Sequence, residues 1–154
     1  MKKRIRKIAG KIIEDSFPVL KGEKIIYLVF YLRFYAFSVW IPPYFRLITL
    51  STRAGKLDDF VIEGILAHEL CHQERYIKMG FWRYLRFIFS YTFDKNARYL
   101  EERATDTLTI EKGYAHQLYE LTLISNNDPK HKTIIGNYLS PEEIKSYAVK
   151  IGKW

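Results

Sequence analysis

The chain has 154 residues, enough for one domain with a substantial core, and its 48% hydrophobic and 27% charged content excludes a disordered or fibrous protein. A single cysteine, Cys71, rules out an internal disulfide and fits a reducing compartment, so a cytoplasmic location is expected. The net charge of +8 suits a solvated basic surface, an anionic membrane surface or a nucleic-acid footprint; no nucleic-acid fingerprint accompanies it, so no nucleic-acid partner is expected, while membrane-surface contact stays open.

In chain order, residues 1–6 are basic, but Glu14 and Asp15 interrupt the apolar stretch behind them, so no signal peptide is expected. Ile5, Ile8, Ala9, Ile12 and Ile13 predict an amphipathic helix instead. Residues 25–41 contain one charge, Arg33, yet fall short of the roughly 20 apolar residues of a membrane span, and an Arg near the centre of one is costly. Their Tyr, Phe and Val content predicts two buried strands that break near Leu32 and Arg33, with Pro42 and Pro43 closing the run. Residues 46–51, where Leu47, Thr49 and Ser51 alternate with Ile48 and Leu50, predict a further strand.

A helix should start at Asp58 or Asp59, carry a broad apolar face of Phe60, Val61, Ile62, Ile65 and Leu66, and stop near Gly80. Residues 81–93 interleave Arg83 and Arg86 with aromatics and are expected to pack against the core. Asp94 or Asn96 can cap the next helix, whose stripe is Ala97, Leu100, Ala104 and Leu108 and whose end is Gly113. A helix over residues 114–124 and a loop through 126–129 follow. Ser140, Pro141 and Glu143 then spell a capping box for a last helix ending near Gly152.

The most informative stretch is His68-Glu69-Leu70-Cys71-His72, a His-Glu-x-x-His pattern inside the predicted 58–80 helix. Residues four apart share a helix face, so both imidazoles can meet one metal ion. Glu69, turned by about 100° from His68, is placed to take a proton from a metal-activated water. Hydrolytic zinc sites take three protein ligands. An extended pattern with a third His is excluded, because Arg75 and Lys78 stand where its Gly and His belong. A separate cysteine ligand is excluded because Cys71 lies inside the motif. A di-iron site is excluded because neither His116 nor His131 has a Glu three residues earlier.

Glu102 and Asp106 form Glu-x-x-x-Asp on one helical face, where two carboxylates repel unless a cation is near. Beside the His motif, Glu102 is the expected third ligand, and Asp106 is expected to hold the far nitrogen of a ligating His. Glu101 is the rival, set about 100° away around the helix.

The two motifs together resemble the gluzincin metallopeptidases, and the short chain looks most like the soluble minimal gluzincins, which are similar to the catalytic domains of CaaX prenyl endopeptidases. The resemblance implies an α+β, zincin-like single domain: a small N-terminal sheet, then the active-site helix, the glutamate helix and C-terminal helices. It implies Zn²⁺ on His68, His72 and Glu102, Glu69 as general base, Asp106 behind a ligand, and a peptide or protein substrate. Residues 46–51 would be the edge strand over the cleft, offering Leu47, Thr49 and Ser51 to substrate; an ordinary core strand is the other reading. Gluzincins also use a downstream residue to stabilise the tetrahedral intermediate, for which Tyr114, His116 and His131 are the candidates, and nothing in the spacing selects one. Two alternatives accompany the peptidase: a latent, inactive or regulatory metal-binding protein whose own terminal segment fills the cleft, and a basic nucleic-acid or membrane-surface module.

Overall fold

The isoleucines near the N-terminus recur every three or four residues, and in the computed structural model, which describes residues 1–129 and 137–154, they line one face of helix α1 (Lys2–Ser16). Ile5, Ile8, Ala9 and Ile12 are buried there, and Phe17 and Leu20 extend the same core through a one-turn 3-10 helix. Residues 25–41 divide as predicted into β1 (Ile25–Phe30) and β2 (Ala36–Ile41), but the strands are half-buried rather than buried, with Phe30, Phe37 and Ile41 exposed. The Ser51 hydroxyl pins the break between them by accepting from Leu32 N at 3.3 Å and donating to Leu32 O at 3.2 Å.

The third strand, β3 (Phe45–Ser51), occupies the centre of a three-stranded sheet in the order β1-β3-β2. It runs parallel to β1, with Ile25 opposite Arg46, and antiparallel to β2, with Ala36 opposite Leu50. The edge-strand expectation for Leu47, Thr49 and Ser51 is therefore corrected: both edges of β3 are paired, and Thr49 and Ser51 are buried. A strand buried on both faces reads as a nearly continuous β-rich run, which Ile48 to Ser51 shows, and alternation cannot tell centre from edge. The edge beside the motif helix belongs to β2.

Helix α2 (Asp59–Phe93) begins where the paired aspartates predict, but its helical path breaks at Gly80, with φ 72° and ψ 174°. That backbone region is open essentially to glycine alone, so Gly80 is what divides the run into residues 59–79 and 81–93. Helix α3 (Lys95–Glu111) is capped by Asp94, whose carboxylate accepts from Asn96 N at 2.8 Å. Gly113, at φ 95°, turns the chain into α4 (Ala115–Asn127), which runs to Asn127, into the predicted loop. Helices α2 and α4 approach closely at Gly64, where a Cβ would sit 2.6 Å from the Gln117 carbonyl oxygen. Helix α5 (Pro141–Lys150) carries the predicted capping box, with Ser140 Oγ accepting from Glu143 N and Glu143 accepting from Ser140 N.

The chain is thus a small α+β domain of three strands and, among the described residues, five α-helices. Its main core joins α1, the sheet and the first half of α2, and a second cluster of Ile110, Ala115, Leu118, Leu139, Ile144 and Ala148 seats α5. Both terminal helices thus pack into the fold, α1 in the main core and α5 in the second cluster. Among the described residues, no helix is long and apolar enough to cross a membrane.

Candidate metal centre

The first half of α2 is buried on most of its circumference, and Ile62, Ile65, Leu66, Leu70 and Cys71 fix its rotation against α1 and the sheet. Gln73 adds a polar clamp: its Nε2 donates to Val39 O at 3.2 Å and Leu47 O at 3.4 Å, while Arg46 Nη1 donates to its Oε1 at 3.3 Å. Ser38 Oγ donates to the Glu69 carbonyl at 3.3 Å, which ties β2 directly to the motif.

Helix α3 lies across this face and brings Glu102 between the two imidazoles. Glu102 Oε2 lies 3.2 Å from His68 Nε2 and 3.4 Å from His72 Nε2. One ligand atom from each of the three residues falls within 4.8 Å of the others, and all three side chains are buried. Two nitrogens and one carboxylate oxygen are the donor set of a catalytic zinc site, so the residues fit that ion. The carboxylate is itself oriented, because the Tyr91 hydroxyl donates to its other oxygen, Oε1.

Each histidine is held from behind. His68 Nδ1 meets Asp106 Oδ1 at 2.9 Å, and Asp106 Oδ2 accepts from Leu139 N at 2.9 Å, so the expected Asp106–His68 contact forms and is anchored. His72 Nδ1 lies 3.2 Å from Thr105 Oγ1 and 3.5 Å from Glu101 Oε1. Glu101 is in turn gripped by Arg75 through two bonds of 2.8 and 2.7 Å. That grip settles the rivalry on α3: Glu101 serves the back of His72, and Glu102 faces the shared side of both rings.

The electrostatics follow from this packing. Burial works against charging either imidazole, but the Asp106 and Glu102 carboxylates outweigh it and hold His68 well above the usual histidine range. Burial likewise opposes His72, and Glu102 with Glu101 lifts it to about 9. Burial tends to raise Glu102 as well, yet His72 and His68 hold it well below the usual carboxylate range. Glu69 goes the other way: burial raises it, and its Oε2 is buried with no hydrogen-bond partner among the described residues. An unpartnered carboxylate oxygen with a raised pKa is what a proton-accepting base needs. Cys71 is buried, its thiol pushed up to about 12 by burial, so its closeness to the cluster does not make it a thiolate.

Glu69, His68 and Asp106 open onto a cavity of about 340 Å³ bounded by the start of β2 at Ala36, by α4 at Leu118 and Leu121, and by Tyr138. Tyr114 and His116 are not brought there. Tyr114 bonds Ser16 Oγ through its hydroxyl at 3.3 Å, and exposed His116 packs on Trp154 with ring centres 4.2 Å apart. Both sit at the start of α4, on turns that face the α1 end of the molecule and the C-terminus. His131 lies outside the described residues. Tyr138 does reach the cavity, its ring 5.7 Å from His68. Burial raises its hydroxyl well above the usual tyrosine range, so it remains a donor. Nothing in its local sequence marks it, and neither Tyr91 nor Thr105 carries a sequence signal; a residue that serves a site from a separate element is found only by folding. No family model matches the chain, and no curated protein and no solved structure is significantly similar to it.

Proposed function

We propose that this chain is a zinc-dependent metallopeptidase of the gluzincin type, with a zincin-like fold. The observation that carries the reading is the buried His68–His72–Glu102 cluster with the unpartnered Glu69 carboxylate on the same helix. A zinc ion held by the three residues would supply Lewis acidity, polarising a peptide carbonyl and acidifying a water. Glu69 Oε2 accepts the proton of the attacking water and passes it to the leaving amine. The Tyr138 O–H, on the same cavity, is the donor for the developing oxyanion, the role for which Tyr114, His116 and His131 were the sequence candidates.

The edge of β2 positions the substrate. Tyr84 Oη accepts from Trp40 N at 2.9 Å and donates to Trp40 O at 2.8 Å, which closes the edge at that residue. Main-chain groups alternate sides along an antiparallel strand, so those of Ser38 and Ala36 point the same way and lead toward the cavity. An extended peptide adding to this edge would lay its scissile bond beside Glu69.

Metal analysis by elemental mass spectrometry tests the reading. About one zinc per chain is expected in the wild type and near none in Glu102→Ala. Glu69→Gln should keep the zinc and lower casein or peptide hydrolysis by about 10²-fold or more. No zinc in wild type after zinc loading, or unchanged hydrolysis in Glu69→Gln, overturns it. A latent form of the same protein is the second reading, favoured by the chain's own Tyr138 and Leu139 resting against His68 and Asp106. It predicts stoichiometric zinc without hydrolysis, and a gain of hydrolysis in Tyr138→Ala.

A further inference from the structure

We propose that residues 81–93 form a docking surface for an anionic lipid bilayer. The helix is apolar on two opposite faces. Its inner face is spoken for: Tyr84 bonds Trp40, Phe87 packs on Tyr76 with ring centres 5.6 Å apart, and Tyr91 donates to Glu102. The outer face carries Trp82, Leu85, Phe89 and Phe93, spaced by three or four residues and so aligned in one ridge. Trp82 is 76% exposed, Phe93 74% and Phe89 68%, and Phe81 and Leu85 are exposed beside them. A continuous ridge of large apolar side chains in water marks an interaction surface, unlike single exposed leucines.

Charge selects the occupant. Residues 75–93 contain no Asp or Glu. Arg83 and Arg86 flank the ridge, are exposed and form no ion pair among the described residues, in a chain of net charge +8. An apolar ridge bordered by arginines, with a tryptophan at one end, is the pattern of a helix lying in the plane of a membrane interface. A second copy of this chain would bring like charges together along the ridge, whereas phosphates of anionic lipid headgroups meet both guanidinium groups. The Gly80 break frees this helix from the axis of the buried half, so the ridge stands at the surface while its inner face closes the His72 side of the cluster.

Flotation of the full chain with lipid vesicles tests this independently of metal content or hydrolysis. Binding is expected to vesicles of equal parts phosphatidylcholine and phosphatidylglycerol, with a blue shift in tryptophan emission that Trp82→Phe removes, and to be lost at high salt or on phosphatidylcholine alone. Trp82→Ser/Phe89→Ser should weaken partitioning by about tenfold or more, and Arg83→Glu/Arg86→Glu should weaken it with the ridge intact. All four positions are exposed, and circular dichroism confirms that each variant folds. No binding to the anionic vesicles, or equal binding by the serine variant, overturns the proposal. So does a concentration-dependent dimer that the serine variant abolishes while no vesicle binding is seen, since that assigns the ridge to a second copy.

Discussion

Both halves of α2 are rich in apolar residues, 11 of 21 over residues 59–79 and 9 of 13 over residues 81–93, yet they meet opposite fates. Residues 59–79 sink into the core and bury His68, Glu69, His72, Gln73 and Glu74 along with it; residues 81–93 bury one aromatic edge and leave another in water. Polar groups make the difference. A buried polar side chain must find a partner, and in the first half α3, Lys112, the sheet and Arg46 supply partners for all but Glu69 Oε2 among the described residues. Glu74 Oε2 lies 2.7 Å from Lys112 Nζ as an ion pair. Among the described residues, Glu69 is the ionisable group left with an orphaned buried oxygen. A helix that makes no such demands, like residues 81–93, is free to keep a face for another solvent.

The strongest way to break the contrast is Asp106→Ala. It strips His68 Nδ1 and Leu139 N of their shared partner inside the core, and should cost about 3 kcal/mol by chemical denaturation and weaken zinc about 10- to 100-fold. An unchanged denaturation midpoint and zinc affinity would mean that the first half does not depend on its satisfied polar groups. Gly80→Ala acts on the junction. A Cβ meets nothing within 4 Å there, so the penalty is purely conformational, about 1–3 kcal/mol.

The pH dependence of the chelator-stripped protein sharpens the comparison. His68 is raised well above 6.5 and His72 is raised from 6.5 to about 9, against burial, by the neighbouring carboxylates. Groups raised on folding contribute stability that is whole below the unfolded value and lost as pH rises through the folded one. The stripped protein should therefore lose thermal stability as pH climbs from 6.5 to about 9, and the zinc-loaded protein should not, because the metal replaces the protons. A stripped midpoint that rises over this window would contradict the ion-paired cluster. The smallest effect is expected for Tyr91→Phe, which removes the one hydrogen bond that joins the second half to Glu102. Stability should fall by about 1 kcal/mol and zinc affinity by about tenfold in competition titrations.

Local pattern carried much of the molecule. The α1 stripe, the division of residues 25–41 into two strands, the Asp94 cap, the Gly80 and Gly113 stops and the Ser140 capping box all depend on neighbours within a few positions, and each stands where the sequence predicts it. The same is true of His68, Glu69 and His72, whose relative placement is a property of one helix, and of Glu102 with Asp106 on another. Where a feature depends on which elements become neighbours, the sequence was silent or misleading. β3 is central because β1 and β2 both pair with it, and no alternation pattern records that.

The sequence by itself determined two rigid half-sites, because helical periodicity sets the angle between residues one, three and four apart whatever the rest of the chain does. Tertiary structure decided how those halves meet: that Glu102 turns to the shared side of both imidazoles, that Thr105 and the Arg75-held Glu101 stand behind His72, that Tyr138 rather than Tyr114 or His116 reaches the cavity, and that the sheet edge beside Glu69 is β2. These depend on contacts between residues far apart in the chain, which are fixed by packing and by the requirement that buried polar groups be satisfied.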